Sequence, residues 1–303
     1  MKLIFLGTSG SIPTVKRGLP AIALKRDREL LLFDCAEGAQ RAMALAGLSP
    51  MRIRAIFITH LHGDHFLGLA GLVQTLSLMD RKDKLEVYCP AGMKERIESY
   101  LSIPFYTLTF EVKVHELKSS DELRHEDYRI KTCEVDHPVP ALAYALIEDP
   151  RPGKFYPEKA IELGVKPGPD FSRLKAGQSV KLRDGRVVKP EQVMGPSRPG
   201  RKVVYAGDTR PCESIVELAR DADVLIHDCT LADDLAERAA ETGHSTPAEA
   251  AEIAKRANVK QLVLIHVSPR YEDDSILLKQ AQRIFPNTVV ARDLMELDVK
   301  FQE

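Results

Sequence analysis

The chain has 303 residues, 44% hydrophobic and 29% charged, the balance of an ordinary soluble globular protein with ample length for a buried core. A formal net charge of -1 gives no whole-chain case for a nucleic-acid partner. Five scattered cysteines without a CxxC exclude a disulfide framework and a zinc ribbon, which points to reduced thiols and a cytoplasmic protein.

The chain opens on an apolar run of four residues, too short for a signal segment or a membrane span, which reads as a first strand over 2–6. Short apolar runs predict further strands over 21–25, 30–33, 54–58, 85–88, 110–114, 128–135 and 141–147. Helical patterns fall at 37–47, 66–79 and 93–102, the second apolar all round and so expected in the core. After residue 202 the pattern resumes with strands over 203–206, 223–227, 261–265, 288–291 and 294–299. Helices are expected at 212–220, 231–242, 246–257 and 274–284, the third capped by Ser245 or Thr246, with Glu249 closing a capping box on Thr246. Two packed sheets with helices outside are the economical layering for such an order.

Residues 151–202 interrupt this pattern. They carry 13 Lys and Arg against 5 Asp and Glu, with 7 of the 19 prolines and 7 of the 18 glycines. A solvated linker has this composition, and so does an ordered, protruding basic arm on an acidic body. Within it, 157–164 reads as a short helix and 179–188 as a hairpin, while Lys166-Pro167-Gly168-Pro169 reads as punctuation.

The chemistry concentrates after the strand at 54–58, in His60-Leu61-His62-Gly63-Asp64-His65. Three imidazoles and a carboxylate at i, i+2, i+4 and i+5 do not follow a helix face, but they suit a loop curling around metal at a strand end. One loop cannot complete two metal shells, so other strand ends must contribute. Four apolar runs end in His or Asp: those leading to Asp136-His137, to Asp208, to His227-Asp228 and to His266. Imidazole and carboxylate donors without thiolate suit zinc, and manganese or iron match the same set. Asp208 is the natural bridge between two ions, because a carboxylate offers two oxygens. His115 and His125 have no such company and read as ordinary surface or edge histidines.

The hexapeptide resembles the HxHxDH signature of the metallo-β-lactamase fold. The resemblance narrows to the short form of the ribonuclease Z family, the transfer-RNA 3′-processing endonucleases. It is carried by Leu6-Gly-Thr-Ser-Gly-Ser-Ile-Pro13, Asp34-Cys-Ala-Glu-Gly-Ala-Gln-Arg41, His65-Phe-Leu-Gly-Leu-Ala-Gly-Leu72, Gly207-Asp-Thr-Arg-Pro211, Gly243-His-Ser-Thr246 and His266-Val-Ser-Pro-Arg-Tyr271. It implies a four-layer αββα sandwich of one domain over 1–303, with 151–202 as an inserted flexible arm gripping the transfer-RNA body. It implies a homodimer and two zinc ions per subunit, one on His60, His62 and His137, the other on Asp64, His65 and His266, with Asp208 between them. Ala36 and Ala39 stand where the family usually has Gly and Thr, and Asp228 where it commonly has Glu.

The activity so implied is removal of the 3′ trailer from precursor tRNA, leaving a 3′-hydroxyl on the tRNA and a 5′-phosphate on the trailer. Two divalent ions make hydroxide available at neutral pH for in-line attack on phosphorus. Asp64 is then both ligand and acceptor of the water proton, or a purely structural ligand. His244 is the expected general acid, oriented by Asp228. Lys154, Lys159, Lys166, Arg173 and Lys175 are expected to meet phosphates of the folded RNA. Two rivals remain on the same residues. A small-molecule phosphodiesterase or lactonase would share the ligands without needing the arm. A relict RNA-binding protein would have lost ligands, and none of the seven is missing.

Overall fold

The computed structural model describes residues 1–301, which separate into two compact units. The first comprises Met1–Ile147 and Lys202–Lys300, and the second Glu148–Arg201 together with Phe301.

The first unit holds two seven-stranded sheets. In spatial order, one runs Glu296–Asp298, Lys2–Gly7, Ala21–Arg26, Glu29–Phe33, Ile53–Phe57, Leu85–Pro90 and Val112–Leu117. The other runs Thr288–Val290, Gln261–Ile265, Val224–Asp228, Lys202–Tyr205, Leu142–Glu148, Tyr128–Glu134 and Glu122–Arg124. Three buried clusters follow from this layering. Phe5, Phe33, Phe57, Tyr144, Tyr205 and Ile265 belong to the layer between the sheets. Leu72, Val73, Leu76 and Ile97 join the outer face of the first sheet, and Ala250, Ala254 and Leu277 that of the second. This is the αββα sandwich.

Each sheet contains a parallel block, from Glu29–Phe33 to Val112–Leu117 in one and from Lys202–Tyr205 to Thr288–Val290 in the other. Parallel strands send their carboxyl ends to one rim, where polar side chains can leave the core. The two sheets are joined near that rim, where Tyr144 Oη donates to Ile58 O at 2.8 Å and Leu142 N to Thr59 O at 2.9 Å.

Several elements differ from expectation. The helix expected over 66–79 is two helices, Gly63–Phe66 and Leu69–Leu78. The break lets Gly68 press against the chain at residues 35–36; a Cβ there would lie 2.0 Å from Ala36 O. Leu78 is 82% exposed, so this helix is not apolar core all round. The strand expected over 110–114 lies at Val112–Leu117, in register with Leu85–Pro90. The polar edge strand Glu122–Arg124 has no apolar run to announce it.

The second unit has its own core of Ala160, Val165, Leu174, Val180, Val188 and Val193. It contains the helix Pro157–Glu162 and the hairpin Val180–Lys181/Val187–Val188 that the sequence suggests. It also contains the helices Pro169–Lys175 and Pro190–Val193, which the proline-rich composition hid. Proline at the first helical position loses no hydrogen bond and has the right φ, so Pro169 starts a helix where punctuation alone was expected. No helix among the described residues is long and apolar enough to cross a membrane.

Candidate metal centre

The rim gathers all seven residues of the expected ligand set. His60 follows the strand Ile53–Phe57, and His62, Asp64 and His65 lie on the turn and short helix after it. His137 follows Tyr128–Glu134, Asp208 follows Lys202–Tyr205, and His266 follows Gln261–Ile265.

His60 Nε2 lies 3.0 Å from His62 Nδ1, which lies 3.1 Å from His137 Nε2. The remaining nitrogens fix the tautomers. His60 Nδ1 donates to Thr59 Oγ1 at 3.0 Å and His137 Nδ1 to Gly243 O at 3.0 Å, so both Nε2 atoms present lone pairs. A single proton on His62 can serve only one of them. Burial holds the pKa of His60 well below its ordinary value and lowers those of His62 and His137, so all three are poised as neutral donors. Tetrahedral zinc with bonds of about 2.0–2.1 Å requires nitrogens about 3.3–3.4 Å apart, a few tenths wider than this cluster.

The second group brings His266 Nε2 within 3.4 Å of Asp64 Oδ2 and within 3.2 Å of Asp208 Oδ2. His65 Nε2 stands 3.2 Å from Asp208 Oδ2 and 3.7 Å from Asp64 Oδ2, yet it is buried without a hydrogen bond. An orphaned buried nitrogen facing two carboxylates is what a cation would satisfy. Burial acts to raise the Asp208 carboxyl, but His266 and His65 beside it hold it well below the usual carboxylate range. Burial likewise opposes the Asp64 charge, and His266 and His65 outweigh it. For His65, burial is outweighed by Asp208 and Asp34, which push the imidazole well above its ordinary pKa. The donor set therefore fits two divalent ions.

Behind these donors stand two fully buried carboxylates, Asp34 and Asp228. Asp34 accepts from His65 Nδ1 at 2.8 Å, and from the Thr59 hydroxyl at 3.0 Å, which in turn accepts from His60. Asp228 accepts from His244 Nδ1 at 2.8 Å, and its Oδ1 accepts from the Thr230 hydroxyl at 2.7 Å, which accepts from His266 Nδ1 at 2.7 Å. Each carboxylate thus orients one imidazole directly and another through a threonine. Both Asp228 oxygens are engaged, Oδ2 also by Thr209 N at 3.2 Å, so Asp228 holds side chains in place even though its oxygens lie close enough for ligation. Aspartate reaches His244 without the extra methylene of glutamate. Burial alone would lower the pKa of His244, but the charge and hydrogen bond of Asp228 raise it to about 9.

In the sequence Asp34 stands out only as the start of a family motif, and neither it nor Thr59 nor Thr230 is assigned a role there. Asp34 ends the apolar run Leu30–Phe33 just as the candidate donors end theirs, so the same signal was present. Asp34 and His266 both adopt the left-handed region, at φ 57° and 64°, costly for non-glycine residues and concentrated at functional sites. Of the four strand-end candidates, His227 is not part of the cluster. It alternates with Asp228 to the other face of its strand, donates Nδ1 to Asp228 O at 2.9 Å and leaves Nε2 buried. Asp136 pairs with Arg210 at 2.9 Å and not with the donors. His115 is a half-exposed strand histidine 2.6 Å from Glu86, and His125 stacks on Tyr128 at 4.4 Å.

The arm residues Lys154, Lys159, Lys166, Arg173 and Lys175 are all exposed. Lys159 lies over the Tyr156 ring at 4.8 Å and Lys175 over Phe155 at 5.1 Å, while Arg173 stands 3.6 Å from Asp170.

Comparison with known proteins places this geometry. Residues 180–267 match the model of the β-lactamase superfamily domain, and residues 1–151 match the model described as anti-Pycsar protein Apyc1. Ribonuclease Z of Methanosarcina acetivorans is 49% identical over 100% of this chain and 99% of its own length. The chain belongs to the ribonuclease Z family. Ribonuclease Z of Methanothermobacter thermautotrophicus is 47% identical over 99% of this chain and 97% of its own. Among solved structures, the short form of human tRNase Z superposes with a TM-score of 0.73 at 29% identity, covering 99% of this chain and 100% of that one. Ribonuclease Z membership makes this chain a phosphodiester-hydrolysing endonuclease of the metallo-β-lactamase fold.

Proposed function

We propose that this ribonuclease Z is a zinc-dependent enzyme that removes the 3′ trailer from precursor tRNA, leaving a 3′-hydroxyl on the tRNA and a 5′-phosphate on the trailer. The observation that carries the proposal is the complete histidine–aspartate set in a chain that matches ribonuclease Z from end to end. His60, His62 and His137 would hold one ion, Asp64, His65 and His266 the other, with Asp208 between them. Ions so held supply Lewis-acid stabilisation of phosphoryl charge and lower the pKa of water.

The chain's own groups then divide the proton work. Contacts to Asp64 fall on Oδ2, which takes the Ser11 N–H at 2.8 Å, so Oδ1 is left to accept the proton of the attacking water. His244 commits Nδ1 to Asp228, and its Nε2 is the atom that delivers a proton to the departing 3′-oxygen. Exposed cations of the second unit, Lys154, Lys159, Lys166, Arg173 and Lys175, engage phosphates of the tRNA body, and the working enzyme is a homodimer in the cytoplasm.

The test is to incubate the protein with precursor tRNA, with and without chelator, and to sequence both product ends. Cleavage that survives chelation, or products with a 3′-phosphate, would overturn the proposal. The buried clusters of the first unit include no residue of 155–195, so deleting that segment leaves its core intact. The shortened protein should lose affinity for precursor tRNA while still hydrolysing bis(p-nitrophenyl) phosphate. Equal loss of both would exclude a separate tRNA-binding element.

A further inference from the structure

We infer that Arg210 is a positioning residue that ties together the three loops carrying His137, Asp208 and His244. It lies two residues after Asp208. Its backbone N–H donates to Asp136 O at 2.9 Å, and its Nη1 donates to Asp136 Oδ1 at 2.9 Å, so main chain and side chain both grip the residue before His137. Its Nε donates to Ala240 O, in the last turn of the helix Ala236–Thr242 that leads into Gly243-His244. Ala240 O also accepts the Gly243 N–H at a longer 3.3 Å, so the guanidinium adds a second donor to a cap carbonyl and complements the helix dipole there.

The loops so tied are packed with no slack. His137 Nδ1 donates to Gly243 O at 3.0 Å, and a Cβ on Gly243 would meet Pro138 at 2.3 Å. Ser245 Oγ donates to Thr209 O at 2.7 Å. One planar fork thus sets the distance between His244 and the metal-binding imidazoles. Lysine has one point of charge and cannot span both acceptors. The inference rests on His244 acting as the proton donor, as proposed above.

The test compares Arg210→Met and Arg210→Lys with the wild-type, zinc-loaded full chain. In Arg210→Met, hydrogen exchange should accelerate together in peptides covering 133–140 and 236–246. Its kcat on precursor tRNA should fall on the order of 10- to 100-fold with KM little changed. Hydrolysis of bis(p-nitrophenyl) phosphate, whose leaving group needs no proton, should fall far less. Arg210→Lys should lie between the two and carries the test if the methionine variant does not fold. Unchanged exchange in both peptides would overturn the inference, and so would equal loss on both substrates. A wild-type chain that leaves precursor tRNA uncut overturns the proposed function instead, and the exchange result then decides Arg210 alone.

Discussion

Asp34 is the residue whose replacement should separate folding from metal binding. It is fully buried and accepts from Thr59 N at 2.8 Å, His65 Nδ1 at 2.8 Å and Tyr205 Oη at 2.8 Å, besides the Thr59 hydroxyl. Asp34→Ala strands these donors without water. At about 1–3 kcal/mol for each unsatisfied group, the four cost about 4–12 kcal/mol. That is comparable with a whole domain's stability of about 5–15 kcal/mol, so the alanine variant should be largely unfolded. Asp34→Asn is gentler. Asparagine tolerates the left-handed φ of 57° and keeps an oxygen for Thr59 N–H. Its amide, however, turns a donor toward His65 Nδ1, which must then become the acceptor. The imidazole proton moves to Nε2, the atom facing Asp208 and Asp64, and a protonated nitrogen cannot ligate. The asparagine variant should fold, yet bind metal at the Asp64–His65–His266 group on the order of 10- to 100-fold more weakly. Zinc titration against a chromophoric chelator, paired with urea unfolding, reads both quantities. An asparagine variant with wild-type affinity for both ions would refute the tautomer argument.

Thr230→Val removes the acceptor for His266 Nδ1 and the donor to Asp228 while keeping the shape. It should weaken one metal site about tenfold, with Thr230→Ser near wild type, in the same chelator competition. Gly10→Ala places a Cβ 2.7 Å from the His266 ring, so circular dichroism should report a folded protein and metal analysis a deficit of zinc. His244→Ala should retain metal and lose cleavage of precursor tRNA by roughly 100-fold or more, the scale of a positioned general acid; full activity would sink that role. Burial pushes the thiols of Cys89 and Cys133 up to about 12, and those of Cys35 and Cys229 are also raised, while Cys212 is half-buried. Ellman's reagent at neutral pH should therefore find one reactive thiol in the native protein and five after unfolding.

The donors were legible because a strand end announces itself. An apolar run stopping at His or Asp marks where a chain leaves the core for a polar rim, and His60, Asp208 and His266 all follow that rule. The rule does not say which of two neighbouring polar residues turns toward the site. His227 and Asp228 looked equivalent in sequence, and the alternation of the strand sent them to opposite faces. Nor does composition reveal a small core. Residues 151–202 show no periodic apolar run, since Ala160, Val165, Leu174, Val180, Val188 and Val193 come from five short elements and a turn. Each contributes one residue, too few to set up a pattern.

The supporting shell was hidden for a different reason. Thr59 and Thr230 are ordinary residues at strand ends, and their meaning lies in what each hydroxyl links. A hydroxyl can donate to a carboxylate and accept from an imidazole at once, so it passes orientation from a buried charge to a ligand. The protein uses this device twice, through Asp34 and Thr59 in the first sheet and Asp228 and Thr230 in the second. The two versions share no sequence pattern. In one the threonine lies 25 residues after its carboxylate, in the other 2. Their likeness comes from chemistry at matching places. Each sheet brings one buried carboxylate to the rim, and each carboxylate fixes two imidazoles. In the first sheet these are the donors His60 and His65. In the second they are His266 and His244, so on the proposed mechanism the plan that would present nitrogen to metal would also present the proton for the leaving group.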